Sequence, residues 1–193
     1  GKQVIFNGYP QNLDADGCKD LAIDRMGPGY VTRAILVDMP LLRGVDWLEE
    51  STPIYVSDLE EWEDFAGVTV SSGDVLLVRG GRWAKREQEG PWSYDRTGAG
   101  LHASVLPWLK ERGVSVLVGD AVNDVQPSGV RGVSRPVHTM TQVFLGLPLV
   151  DNAYLEDVAR EAAARRRWEF MISWQITSIP GGTASPFNAI TTF

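Results

Sequence analysis

His138 and Asp151 are the residues with the most chemical promise in this sequence. An imidazole titrates near neutral pH and can take up or deliver a proton; a carboxylate beside it can orient the ring or bind a cation. The two flank an apolar stretch within residues 135–152, with Pro136 before the histidine and Asn152 after the acid. A local alternative stands beside this one, because Asp151 or Asn152 is what the N-cap of a following helix requires. Spacing leaves both open. Asp120 and Asp124 follow an apolar run at 114–118. They either line a ligand crevice at the carboxyl end of a buried strand or satisfy backbone groups in a loop.

Two further patterns carry less. Gly98, Gly100 and Ala103 match G-x-G-x-x-A, but a dinucleotide site needs a strand running directly into the first glycine. The nearest apolar strand candidate ends at Val78, so a tight turn before a helix is the better account. Asp58, Glu60, Glu61, Glu63 and Asp64 suggest a cation site only until they are wound at 3.6 residues per turn, which spreads them around a solvated helix face.

The elements that must position these groups alternate. Val31–Val37, Val75–Val78 and Val114–Val118 read as buried strands, and 168–174 alternates like a half-buried one. Leu59–Phe65 and His102–Arg112 read as helices, the second with Pro107 in its first turn or two. Residues 153–167 form the clearest helix, with Tyr154, Leu155, Val158, Ala159 and Ala162 as its apolar stripe. Glu156–Arg160 and Glu161–Arg165 are its expected i,i+4 pairs. Strands alternating with helices predict an α/β fold with a mixed sheet and flanking helices.

Composition narrows the function. The 193 residues carry 25 acids against 18 bases, a net charge of −7, which argues against a nucleic-acid footprint. Mean hydropathy is −0.12 and no apolar run is long enough to cross a bilayer; no leader pattern opens the chain, and a cytoplasmic location is the expectation. Cys18 is the only cysteine, which excludes an intrachain disulfide. Two histidines, His102 and His138, are too few for a self-contained multi-His metal site.

Several short motifs form one ordered pattern: Gly8-Tyr9-Pro10; Gly29 with Val31, Thr32, Arg33, Leu36 and Asp38; Gly73 to Arg79, followed by Gly80, Gly81 and Arg82. It continues through Ala99-Gly100-Leu101, Trp108 to Val114, Gly119-Asp120 and Pro136-Val137-His138. Asp151-Asn152 with Leu155 and Glu156, then Gly182, Thr183, Ser185 and Pro186, complete it. The pattern resembles the cyclase family of metal-dependent hydrolases, which includes bacterial kynurenine formamidase and isatin hydrolase. The likeness is greater to the longer, isatin-hydrolase-like branch.

The resemblance implies a swivelling β/β/α fold and hydrolysis of a small cyclic amide or aryl formamide, with water activated by a divalent manganese or zinc. It implies a small-molecule substrate and a homo-oligomer, a dimer or larger. His138 matches the family's active-site histidine, a proton shuttle, and Asp151 falls where the family has a carboxylate at or beside the metal. Phe6, Trp83 and Trp92 are candidates by residue type to stack on a flat substrate, with Leu101 and Asp120 beside them. The family's metal motif, H-x-G-T-H-x-D with a further His, normally stands upstream of the segment that opens this chain. The expectation is therefore a single cyclase-like domain over residues 1–193 that lacks its N-terminal section and, with it, the motif that binds the metal. The alternatives are a metal-free cyclase or dehydratase using His138 with Asp120 or Asp124, and a non-catalytic ligand-binding homologue.

Overall fold

The computed structural model of the protein describes residues 8–10, 13–14, 17–18, 20–27, 29–93 and 96–193. Its chain order opens with the short strands β1 (Leu13–Asp14) and β2 (Gly17–Cys18), then β3 (Tyr30–Asp38), α1 (Met39–Arg43), β4 (Pro53–Ile54) and α2 (Val56–Ala66). β5 (Val75–Arg79), α3 (Arg82–Glu89), β6 (Gly100–Leu101), α4 (Leu106–Arg112) and β7 (Val116–Gly119) follow. The last elements are α5 (Pro136–His138), β8 (Leu149–Val150), α6 (Glu156–Arg165), β9 (Glu169–Trp174) and β10 (Ile190–Thr192). α5 runs on as a π-helix over Thr139–Leu145.

Six strands make one mixed sheet in the order β10-β9-β3-β5-β7-β8. β3, β5, β7 and β8 are parallel, in register Ala34–Val75, Leu76–Leu117 and Val118–Val150, while β9 runs antiparallel to β3. β5, β7 and the second half of β3 from Ala34 are covered on both faces, which is why they read as apolar runs. Ile35, Val37, Leu76, Val78 and Leu117 pack with Leu59, Trp62, Val105 and Leu109 on one face. Ala34, Leu36, Val75, Leu77, Val116 and Val118 pack with Ala159, Ala162, Phe170 and Ile172 on the other. Burying each of the larger side chains contributes roughly 2–3 kcal/mol. The mixed sheet with flanking helices matches the α/β expectation, and among the described residues no helix is long and apolar enough to cross a membrane.

Several local expectations need correction. α6 starts at Glu156, not 153, and Tyr154 is 55% exposed ahead of it rather than part of the buried stripe. Glu156 does not pair with Arg160. It turns inward to Arg79, at 2.6 Å, and Arg79 also bonds Asp38 at 2.8 Å, so the ends of β3 and β5 are tied to the start of α6. Arg160 pairs with Asp157 instead, while Glu161–Arg165 forms as expected. The acids of α2 are only partly a solvated face: Asp58 accepts from the Tyr55 N–H at 2.7 Å and Glu63 pairs with Arg112 at 2.7 Å.

The glycine pattern at 98–103 proves to be a crossing point of backbones. Gly100 pairs with Pro53 and Leu101 with Ile54 in the small β4–β6 ladder, and Leu101 also bridges Asp124. A Cβ on Gly100 would lie 2.7 Å from the carbonyl carbon of Asp124, a distance no side chain tolerates. The chain then turns into α4 through a short 3-10 turn, with Pro107 in the first turn of the helix.

Candidate functional site

Asp124, pinned by that crossing, is fully buried beyond the end of β7. Its carboxylate caps the start of α5, accepting from the Val137 N–H at 2.6 Å and the His138 N–H at 3.2 Å. Its Oδ2 also meets Nδ1 of the His138 ring in a short hydrogen bond. On the other side of the imidazole, Nε2 lies 2.8 Å from Oδ2 of Asp151, which follows β8. Both ring nitrogens therefore face carboxylate oxygens, which accept and cannot donate while ionised.

Burial alone would lower the His138 pKa, but the hydrogen bonds to Asp124 and Asp151, reinforced by their charges, raise it to about 9. The ring is a cation at neutral pH, sharing one N–H with each acid. Burial pushes the Asp151 carboxyl up, but His138, together with donors from Asn123, more than offsets this and holds it below its ordinary value. Asp151 is the member that reaches outward, with a side chain 37% exposed against 17% for His138. It borders a cavity of about 580 Å³. Tyr30, Trp174 and Phe187 line the same cavity; Tyr30 and Trp174 stack with ring centroids 4.5 Å apart, and Phe187 meets Trp174 edge-on at 5.4 Å. A proton held on Nε2 can thus be passed to Asp151, the member of the pair that borders the cavity with the aromatic wall.

The other sequence candidates sit elsewhere. Asp120 accepts from the backbone N–H groups of Gly80, Gly81 and Arg82 at 2.9, 2.8 and 3.0 Å, capping α3. Burial pushes its carboxyl up to about 6 against those three donors and the nearby Arg79 charge. Asp120 and Trp92 share the lining of a cavity of about 30 Å³, and Asp120 and Leu101 that of another of about 20 Å³. Such spaces hold a water or two rather than a ring. Leu101 otherwise belongs to the core. Trp83 donates its indole N–H to the Ala153 carbonyl at 2.8 Å, bracing the loop after Asp151. Phe6 lies outside the described residues. His102 does not join His138; its Nδ1 accepts from the Ser104 N–H at 3.2 Å and caps the turn before α4.

Asp124 is the residue that the sequence leaves least marked, since position groups it with Asp120 while its contacts belong to His138. Asn123, Tyr30, Trp174 and Phe187 carry no motif. The described residues do not fit a divalent cation. Among the described residues no three His, Cys, Asp or Glu side chains are grouped to hold one. The one cluster that comes near, around His138, uses both ring nitrogens on its own carboxylates.

The family model named Cyclase matches residues 12–123. No curated protein matches the chain in sequence at a significant level. A solved structure described as a novel cyclase superposes with a TM-score of 0.85 at 24% identity, over 100% of this chain and 66% of its own. Isatin hydrolase A from Ralstonia solanacearum superposes with a TM-score of 0.66 at 18% identity, over 94% of this chain and 65% of its own. A third, described as a potential metal-dependent hydrolase with cyclase activity, gives a TM-score of 0.55 at 16% identity, over 83% and 64%. At these identities the likeness is one of fold, and the chain spans just under two thirds of the length of each structure.

Proposed function

The chain belongs to the cyclase family, and from that membership and the setting of His138 we propose that it is the larger part of a hydrolase of small cyclic amides or aryl formamides. The observation that carries the reading is the imidazolium held between Asp124 and Asp151, with Asp151 open to the cavity. Breaking an amide or formamide C–N bond requires a proton for the departing nitrogen, and in this reading His138 supplies it through Asp151, which shares its Nε2 proton and borders the cavity. Asp124 orients the ring and keeps it charged, and the proton that departs with the nitrogen is replaced by the one the attacking water gives up, returned through Asp151. The stacked Tyr30–Trp174 pair offers a flat surface for an aromatic or cyclic substrate.

Neighbouring structures are described as metal-dependent. In this reading the metal's ligands come from outside the described residues, and His138 with its two acids supplies the proton-handling half of the site. The test is turnover of isatin-like cyclic amides and N-formylanilines by the protein containing this chain, compared with its His138→Ala variant. A loss of about 100-fold or more is expected for a general acid–base group. Unchanged turnover in the variant, or no turnover of either substrate class by the parent protein, would overturn the reading.

A further inference from the structure

Asp151 has two oxygens, and only one of them meets His138. The other, Oδ1, accepts from Nδ2 of Asn123 at 2.7 Å and from the Asn123 backbone N–H at 3.2 Å. The second Nδ2 hydrogen goes to the Val150 carbonyl at 3.0 Å. Every donor of this residue is thus spent on the end of β8 and on one oxygen of the acid that follows it. We propose that Asn123 is a positioning residue for the His138–Asp151 pair, selecting Oδ2 as the oxygen that faces the imidazole. The role assigned to the pair rests on the function proposed above; the selection itself does not.

The chemistry of the site calls for a primary amide of this length. A hydroxyl has one hydrogen and could serve Val150 or Asp151 but not both; a carboxylate has none to give; glutamine would carry its amide one carbon too far. The fold also makes room for it. A Cβ on Gly119 would lie 2.8 Å from Oδ1 and 3.2 Å from Cγ of Asn123, so a side chain at 119 would displace the amide. The backbone is held from the far side, where the Asn123 carbonyl accepts from the Leu101 N–H at 2.8 Å. Asn123 is 4% exposed, and its Oδ1 has no partner among the described residues. Leaving that oxygen unbonded is a cost, which the two Nδ2 hydrogen bonds must offset.

The inference is tested by proton NMR of the chain labelled with 15N at histidine, at pH 7, where the two ring N–H protons of His138 are expected to give separate downfield signals. In Asn123→Asp, which keeps the volume and removes the side-chain donors, and in Asn123→Ala, the Nε2–H signal is expected to disappear or move upfield. The Nδ1–H signal, held by Asp124, is expected to remain. In an Asp151→Asn background the Asn123 changes should have no further effect on either signal. Unchanged signals in both variants would overturn the proposal. Loss of both signals together would also overturn it, marking Asn123 as a general structural strap. If His138→Ala leaves turnover intact while the Nε2–H signal responds selectively to Asn123, the proposed function fails and the positioning role stands.

Discussion

Asp124 holds His138 at both its backbone and its ring: one carboxylate oxygen accepts from the His138 N–H at 3.2 Å and meets the ring at Nδ1. The helix start and the imidazole orientation are therefore set by the same buried group, so losing that carboxylate removes the helix cap and the ring's partner together.

This double hold can be tested by Asp124→Asn. The substitution keeps the volume but turns a donor toward the His138 N–H, where an acceptor stood. A loss of about 2 kcal/mol is expected in urea unfolding at pH 7. The imidazole should also release its proton well below the wild-type value of about 9. An NMR titration of His138 checks the second outcome independently of the first.

The charge on His138 makes stability depend on pH. Its folded pKa, about 9, lies above the ordinary 6.5, so the folded chain binds this proton more tightly than the unfolded one. The resulting stabilisation is complete below about pH 6.5 and is lost as the pH rises through about 9. Denaturant unfolding at pH 6 and pH 9.5 should differ by about 2 kcal/mol from this group once solvent screening is allowed for. His138→Gln should remove that difference.

Asp120 acts in the same direction over a lower range. Its folded value of about 6 exceeds the ordinary 3.8, so its contribution is greatest below about pH 3.8 and lost as the pH rises through 6. The wild-type chain should therefore gain on Asp120→Asn by up to about 3 kcal/mol as the pH falls from 7 to 4. Parallel urea titrations of the two proteins at those pH values measure it.

Gly100→Ala probes the backbone crossing. The new methyl would press on the carbonyl groups of Asn123 and Asp124 at 2.7–2.8 Å, and backbone atoms cannot swing aside as a flexible side chain could. A destabilisation of about 2 kcal/mol is expected on thermal unfolding. Because Asp124 must move, the two downfield His138 signals should shift as well.

Much of the scaffold is legible in the sequence because it is written locally. Val75–Val78 is apolar at every position because both sheet faces are covered, and β9 alternates because only one of its faces is fully buried. The stop at Gly119 and the Pro107 start of α4 are legible for the same reason, since turn and helix chemistry act over a few residues. The site is less so. Pairing His138 with Asp151 follows from the family pattern, but nothing in the spacing distinguishes Asp124 from Asp120, four residues apart and both past the same strand.

What separates them is the direction of the chain after β7. Asp120 turns back to the N-terminus of α3 and accepts from three backbone N–H groups there, and Asp124 crosses Leu101 to meet α5. Glu156 finds Arg79 across the sheet edge rather than Arg160 on its own helix for a similar reason: a buried guanidinium flanked by acids binds more firmly than an exposed one. The sequence by itself determined which residues become strands and helices and which family pattern they follow, because periodicity and turn chemistry are short-range. Only the tertiary structure decided which acid meets which base, because those partners lie 13 to 77 residues apart and hydrogen-bond geometry, not order along the chain, selects them.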